Sequence, residues 1–265
     1  MTATIHPLAN VERGAELGRS VTIGPFCHVG ANVVIGDRTQ VFPRATIIGH
    51  TKIGADCEIH PHAVIGGGPQ TIGYTPDETS RLEIGDRTVF RENASAHTGS
   101  PSHSGVTRIG SDCYFMTNVH IGHDCQIGDH CVIASGAGLA GHVSLGDHVW
   151  VGGYSATHQF TRVGAHAFIG GGAILVGDVI PYGAVVGNRA ALTGLNVKGL
   201  LRRGFSRTRI RAMRRAYVAL FTGEQPFVER VASAKAEFAG DEDVMQIIAF
   251  IEMDRPRPLC FPDRP

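Results

Sequence analysis

The stretch Val29-Gly-Ala-Asn-Val-Val-Ile35-Gly-Asp-Arg-Thr-Gln-Val41-Phe-Pro-Arg-Ala-Thr-Ile47-Ile-Gly-His-Thr-Lys-Ile53-Gly-Ala-Asp-Cys-Glu-Ile59 places an aliphatic residue at every sixth position. The series runs back through Ile23, Leu17, Val11 and Ile5 and forward to Ile65. Four places after each aliphatic residue comes a small or β-branched one: Ala9, Ala15, Val21, Cys27, Val33, Thr39, Ala45, Thr51, Cys57 and Ala63. A period this regular is a repeat, and each hexad reads as one short flat strand plus a corner, with one large and one small side chain turned inward. Three sides close a triangular coil of 18 residues. Residues that far apart then stack one strand spacing away, about 4.8 Å. Stacked neighbours build the core that a single coil lacks. Glycine follows many of the aliphatic residues, as at Gly18, Gly24, Gly30, Gly36, Gly54 and Gly66, and is expected to supply the backbone freedom the corners need.

The phase slips by one residue before Ile84 and Phe90, and again before Ile109. From there it holds through Phe115, Ile121, Ile127, Ile133, Leu139, Leu145, Val151, Thr157, Val163, Ile169 and Leu175. Both slips fall in segments rich in turn formers, Gly66–Ser80 and His97–Gly105, which predicts loops extruded near 67–81 and 97–107. After Leu175 and Val186 the repeat fades. Ser206 is placed to cap a helix ending at Phe221, with Ile210, Met213, Tyr217 and Leu220 on one face. Phe227, Val231, Ala234 and Phe238 form a second helical face, and Val244, Ile247, Ile248 and Ile251 a third. The expected organisation is an all-β parallel coil over 1–196 and a small α-helical C-terminal domain over 197–265 that closes the coil's open end. Prolines from Pro256 to Pro265 predict an irregular tail.

Basic and acidic residues balance at 24 each, without the basic excess that nucleic-acid binding needs. The N-terminus shows no signal peptide pattern, and no long apolar run suggests a membrane span, so a cytoplasmic protein is expected. Cys27, Cys57, Cys113, Cys125 and Cys131 occupy the small inward place and read as buried hydrophobes rather than disulfide partners or metal ligands. Lys198, Arg202, Arg203, Arg207, Arg209, Arg211, Arg214 and Arg215 crowd one segment, which reads either as a solvated helix face or as a site for phosphates or an acidic partner.

The 18-residue register carries His123 onto Gly141 and then onto Gln159, so His123, the Gly141-His142 pair and the His158-Gln159 pair should line one edge of three successive coils. His120 lies half a hexad earlier, near the same corner. Histidine is the natural general base for a hydroxyl or amine, Asp124 adjoins His123 and could orient it, and Gly141 could bring its bare N–H close to a developing oxyanion. Metal binding by imidazoles is the alternative chemistry, with ligands converging from neighbouring subunits.

The segments Asn118–Cys125, Leu139–Val143, His158–Phe160 and Gly194–Ser206 resemble the UDP-N-acetylglucosamine O-acyltransferase family of hexapeptide-repeat proteins, and the likeness extends over nearly the whole chain. The resemblance implies a left-handed coil, against the usual right-handed crossover, and a homotrimer with active sites between subunits. It further implies transfer of an (R)-3-hydroxyacyl chain from acyl carrier protein to the 3-hydroxyl of UDP-N-acetylglucosamine, opening lipid A biosynthesis, with no metal or dissociable cofactor. His123 would be the general base, Asp124 its orienting partner and Gly141 N–H the oxyanion donor. His97, His120, His142, His158, Gln159 and Gly171 would line the sugar and acyl pocket. Asn196, Arg202 and Arg203 would hold the UDP ribose and phosphates, and the remaining arginines would suit the acidic carrier.

The chain departs from the family pattern at Thr71 and Gly73, where acidic and lysine sugar contacts are usual, at Thr98 in the second loop, and at Lys198 where an acidic nucleotide contact is usual. These departures touch the acceptor half of the site, so a related UDP-sugar carrying a 3-amine is an alternative acceptor. A metal-dependent lyase of the carbonic anhydrase kind and a non-enzymatic solenoid are the readings from other classes.

Overall fold

The structure is a computed structural model and describes residues 2–75, 79–254 and 256–263. Short strands fall on three faces in rotation. The first face begins with Thr4–Ile5 and Thr22–Ile23, the second with Asn10–Val11 and His28–Val29, the third with Glu16–Leu17 and Val33–Ile35. Among the described residues the faces are sheets of eleven, nine and eight strands. Thr4 pairs with Thr22 and Ile5 with Ile23, the 18-residue register the spacing predicts. The architecture is a left-handed parallel β-helix with a small helical region at its C-terminal end.

From Val21 onward the inward pairs of the hexads are sealed in the coil, while the first coil leaves Ile5 exposed and Ala9, Val11, Ala15 and Leu17 half-buried. Cys57, Ile59, Cys131 and Ile133 are completely buried. All six cysteines are free thiols. The thiols of Cys125 and Cys131 donate to the carbonyls of Ala140 and Gly146 in the next coil, both at 3.2 Å. Phe90 and Phe115 stack at 4.7 Å in the interior where the coils are interrupted.

The corner glycines serve a different purpose from the one expected. Of the six that follow aliphatic residues in the first coils, only Gly66 has a positive φ. The left-handed conformation is taken instead by non-glycine residues such as Arg38, Asp56, Asp124 and His142, at φ of 59, 57, 59 and 63°. What the glycines provide is clearance: a Cβ on Gly36 would lie 2.6 Å from the Gly54 carbonyl carbon of the next coil. A left-handed residue costs roughly 1–2 kcal/mol. It is offset by a hydrogen bond along the stack, as from Asp56 N–H to the Asp37 carbonyl at 2.9 Å and from His142 N–H to the His123 carbonyl at 2.9 Å.

Two coils are longer than the rest. Glu58 pairs with Val89, 31 residues on, and Val89 with Tyr114, 25 on, so thirteen and seven residues are extruded beyond the usual 18. Both loops leave the edge between the second and third faces, one after Val64–Gly67 and the other after Ser95–His97. Residues 76–78 of the first predicted loop, and the last two residues of the predicted irregular tail, lie outside the described residues.

The coil ends in an antiparallel hairpin, Gly183–Val186 with Ala191–Leu195, which the hexad pattern does not announce. Among the described residues four helices follow: α1 (Val197–Arg202), α2 (Arg207–Phe221), α3 (Phe227–Glu237) and α4 (Glu242–Glu252). Asn196 caps α1 and Ser206 caps α2, each side chain accepting from the backbone N–H three residues on, Gly199 and Arg209. Tyr182, at the last corner, reaches Gln246 at 2.6 Å and Asp243 at 3.1 Å, tying α4 to the coil. The proline-rich tail is not free: Asp178 N–H donates to the Pro258 carbonyl at 2.7 Å and Cys260 N–H to the Asp178 carbonyl at 2.8 Å, burying Cys260. Among the described residues no helix is long and apolar enough to cross a membrane.

Candidate active site

Three corners stack on the edge between the second and third faces: 122–124 after His120–Ile121, 140–142 after Gly138–Leu139, and 158–160 after Ala156–Thr157. The register therefore places His123, Gly141 and Gln159 in one column, as the arithmetic predicts. The two extruded loops leave this same edge in the coils below.

Asp124 is the anchor. Its side chain is 1% exposed, against 20% for His123. Its Oδ2 accepts from His123 Nδ1 at 2.8 Å and from Ser100 N–H at 2.9 Å. Its Oδ1 accepts from the Ser104 hydroxyl at 2.6 Å. Burial pushes this carboxyl up, but the hydrogen bonds from Ser104, His123 and Ser100 outweigh burial and hold it below its ordinary value. The regular stack is altered to build this pocket. Where His142 N–H bonds a backbone carbonyl one coil below, Asp124 N–H bonds Thr107 Oγ1 at 2.8 Å, just past the second loop.

The Asp124 carboxylate offers only acceptors, so His123 Nδ1 carries the ring proton and Nε2 keeps its lone pair. That Nε2 lies across Gly141, where a Cβ would stand 2.6 Å from it. The Gly141 carbonyl accepts from Phe160 N–H at 3.2 Å, while its own N–H has no acceptor among the described residues. His142 stacks on Phe160 at 4.4 Å, meets His103 of the second loop at 4.4 Å and stands edge-on to His123 at 5.0 Å. His120 Nδ1 pairs with Ser95 Oγ at 3.0 Å, and His97 Nδ1 with the Gly68 carbonyl at 2.8 Å, holding the root of the first loop. Burial holds His97, His120 and His142 below the ordinary histidine value. His158 and Gln159 are exposed, and Arg257 of the tail reaches both: Nη2 lies 2.7 Å from His158 Nδ1 and Nε donates to the Gln159 carbonyl at 3.0 Å.

Ligand atoms of His123, Asp124 and His142 lie within 4.8 Å of one another, a spacing that could hold a metal ion. Both Asp124 oxygens are already engaged by Ser100, Ser104 and His123. A cation would have to displace one of them, so the geometry suits proton transfer better.

The other candidate residues lie elsewhere on the coil. Asn196, Arg202 and Arg203 line a cleft of about 680 Å³ against the outer surface of the first face, with Trp150, Phe168, Lys198 and Arg214. Asn196 Nδ2 donates to the His166 carbonyl at 2.9 Å and Arg203 Nη2 to the His148 carbonyl at 2.7 Å. Gly171 stands on the edge between the first and second faces with open space outward, its Cβ position meeting nothing nearer than the Gly153 carbonyl at 3.4 Å. In a triangular coil the edge holding His123 is opposite the first face, so one chain does not bring the two groups together. Thr71 and Gly73 are exposed in the first loop, Thr98 is buried at the neck of the second and Lys198 is exposed at the cleft.

Sequence reasoning missed Ser100 and Ser104, whose loop has no period to read, and Thr107, which stands at the small inward place of the hexad ending at Ile109. It also missed Trp150 and Phe168, which had a signal: both are large apolar residues at the outward hexad place, 18 apart and directly paired in the first sheet.

The chain is similar to known proteins over nearly its whole length. Residues 178–260 match the model of the second domain of UDP-N-acetylglucosamine O-acyltransferase, and residues 32–67 and 107–141 match the bacterial transferase hexapeptide repeat. The acyl-[acyl-carrier-protein]–UDP-N-acetylglucosamine O-acyltransferase of Mesorhizobium japonicum is 49% identical, over 98% of this chain and 92% of its own. That of Bartonella quintana is 47% identical, over 97% of this chain and 94% of its own. The crystal structure of UDP-N-acetylglucosamine acyltransferase from Francisella novicida superposes with a TM-score of 0.93 at 35% identity, covering 97% of this chain and 94% of that one.

Proposed function

The chain belongs to the UDP-N-acetylglucosamine O-acyltransferase family, and from that premise we propose that it transfers an (R)-3-hydroxyacyl chain from acyl carrier protein to the 3-hydroxyl of UDP-N-acetylglucosamine, the first step of lipid A biosynthesis. The observation that carries the residue-level reading is the dyad: His123 Nδ1 held on a buried carboxylate at 2.8 Å, with Nε2 beside Gly141.

His123 Nε2 takes the proton of the acceptor hydroxyl as its oxygen attacks the thioester carbonyl. Asp124 keeps the imidazole in the tautomer that can accept it and stabilises the imidazolium that results. The Gly141 N–H donates to the oxyanion of the tetrahedral intermediate. Collapse breaks the carbon–sulfur bond, and the imidazolium returns its proton to the departing thiolate. The products are the O-acylated sugar and the free carrier thiol, and His123 is neutral again. His97, His120, His142, His158 and Gln159 flank the dyad and bound the sugar. Asn196, Arg202 and Arg203 bind the nucleotide, their guanidinium groups suited to phosphate oxygens, and Gly171 leaves room for acyl chain.

The nucleotide cleft and the dyad lie on opposite sides of the coil. A homotrimer, in which one chain's edge meets the next chain's first face, unites them, and we place this assembly in the cytoplasm. At Thr71 and Gly73 the chain offers the acceptor no charged side chain, and the histidine edge and the nucleotide cleft carry the sugar recognition proposed here.

The test is turnover of His123→Ala with hydroxyacyl carrier proteins and UDP-sugars, the product identified by mass. Loss of a general base lowers rate by about a thousandfold. Circular dichroism and assembly size are expected to stay unchanged. Full activity of the variant, or stoichiometric zinc in the purified wild-type protein, overturns the mechanism.

A further inference from the structure

The second extruded loop closes over the dyad's carboxylate. Its neck is tight: Gly99 passes so close to the Val106 N–H and the Gly105 carbonyl carbon that no Cβ fits. Its tip folds on itself, with His103 N–H and Gly105 N–H both donating to the Ser100 carbonyl at 3.0 Å. This fold points Ser100 N–H at Asp124 Oδ2 and the Ser104 hydroxyl at Oδ1. Ser104 has a single hydroxyl hydrogen and two acceptors in reach, the Asp124 carboxylate at 2.6 Å and the Val106 carbonyl at 3.1 Å. The shorter, charged partner takes it. Val106 N–H in turn donates to Ser104 Oγ at 3.3 Å, polarising the hydroxyl toward the carboxylate. A network results: Val106 N–H donates to Ser104, Ser104 donates to Asp124, and His123 Nδ1 donates to the same carboxylate.

We propose that Ser104 is a positioning residue of the acyl transfer, fixing the Asp124 carboxylate so that His123 Nε2 faces the acceptor. The proposal rests on His123 acting as the base. Without Ser104 the carboxylate keeps His123 Nδ1 and Ser100 N–H but loses its only partner on Oδ1 among the described residues. It is then free to rotate, and it holds a proton more tightly. The charged and titratable groups facing it are His123, His142 at 3.9 Å, and behind them His103, His97 and His120. None of them can replace a hydroxyl donor on Oδ1 without leaving its own contacts.

The expected result for Ser104→Ala is a fall in kcat of about tenfold, the loss of one hydrogen bond to a charged group, with KM unchanged. The acid limb of the kcat/KM profile moves up by about one pH unit, because the dyad takes up its proton sooner. Ser104→Thr keeps the donor and restores both values. Ser104→Cys keeps the volume and weakens the donor, so it repeats the alanine result should the alanine variant fail to fold. The same dyad is read without substrate by nitrogen-15 NMR of labelled histidine, following the His123 tautomer and titration. That readout holds whatever the substrates prove to be: a wild-type enzyme inactive on the whole substrate panel refutes the acyl-transfer reading, while the NMR still decides the role of Ser104. An alanine variant with wild-type kcat and an unmoved acid limb, or an unmoved His123 titration, overturns the proposal.

Discussion

Gly141 does two things on one corner. Its N–H has no acceptor among the described residues, and its bare Cα leaves the space that the His123 ring occupies. A Cβ would stand 2.6 Å from Nε2 and 2.7 Å from Cε1, and the ring cannot swing clear while Nδ1 is pinned to Asp124. A misplacement of about 1 Å costs on the order of a hundredfold in rate. Gly141→Ala is therefore expected to lower kcat by about that factor while melting temperature and assembly size hold, measured by steady-state kinetics beside thermal unfolding. Wild-type turnover in that variant would remove the clearance role; the N–H, which alanine keeps, is untouched by the substitution. The pairing of His123 with Gly141 could be read from the chain because the two are one coil apart. Ser104 could not, because it reaches Asp124 across an aperiodic loop, and no spacing rule says where such a loop folds back. Arg257 was hidden for the same reason: a proline-rich tail carries no register.

At the scale of elements, the corners between the third and first faces form a second column. His130, His148 and His166 stack at 4.6 and 4.7 Å, and Tyr182 continues the column at 5.5 Å. Phe205, just ahead of α2, meets His166 edge-on at 5.1 Å, so this column seats the helical region. Facing His166 are His148, Arg203, Asp147 and Asp243, besides the Tyr182 and Phe205 rings. Burial, with His148 and Arg203 adding to it, pushes the His166 pKa from 6.5 down to about 4. Between those values the unfolded chain binds a proton that the folded chain refuses, so this residue's contribution is intact above pH 6.5 and is lost as pH falls toward 4. His166→Phe keeps a ring in the stack without the titration. Its melting temperature is expected to fall less steeply than the wild type's from pH 7 to pH 4, and parallel slopes would show that the column does not sense pH. The sixfold period announced that corners stack. It did not announce that clearance, rather than backbone freedom, selects the corner glycines, since both demands leave the same letter in the sequence. The helix caps were legible at Ser206 because a side chain that accepts from a helix N–H is a local device. The closing hairpin was not, because its partner strand is defined only once the coil is built.

For the whole molecule, the coil and its register were open to reading because the constraint repeats. What no single chain discloses is how its edges meet other copies. The dyad stands opposite the cleft lined by Trp150, Phe168, Asn196, Arg202 and Arg203, and the function proposed above joins the dyad edge of one chain to the cleft of another. This has a consequence that separates shared sites from sites within a chain. His123→Ala and the double variant Arg202→Ala, Arg203→Ala are each expected to be inactive alone. Unfolded together, mixed in equal amounts and refolded, they form assemblies in which some junctions join an intact dyad edge to an intact cleft. With random mixing in a symmetric assembly, about one junction in four is intact, so about a quarter of wild-type activity returns. Sites contained within one chain return none, because every chain in the mixture carries a defect. Counting active junctions against assembly mass, by light scattering of the same sample, then fixes the number of sites per assembly, and a homotrimer requires three in the wild type.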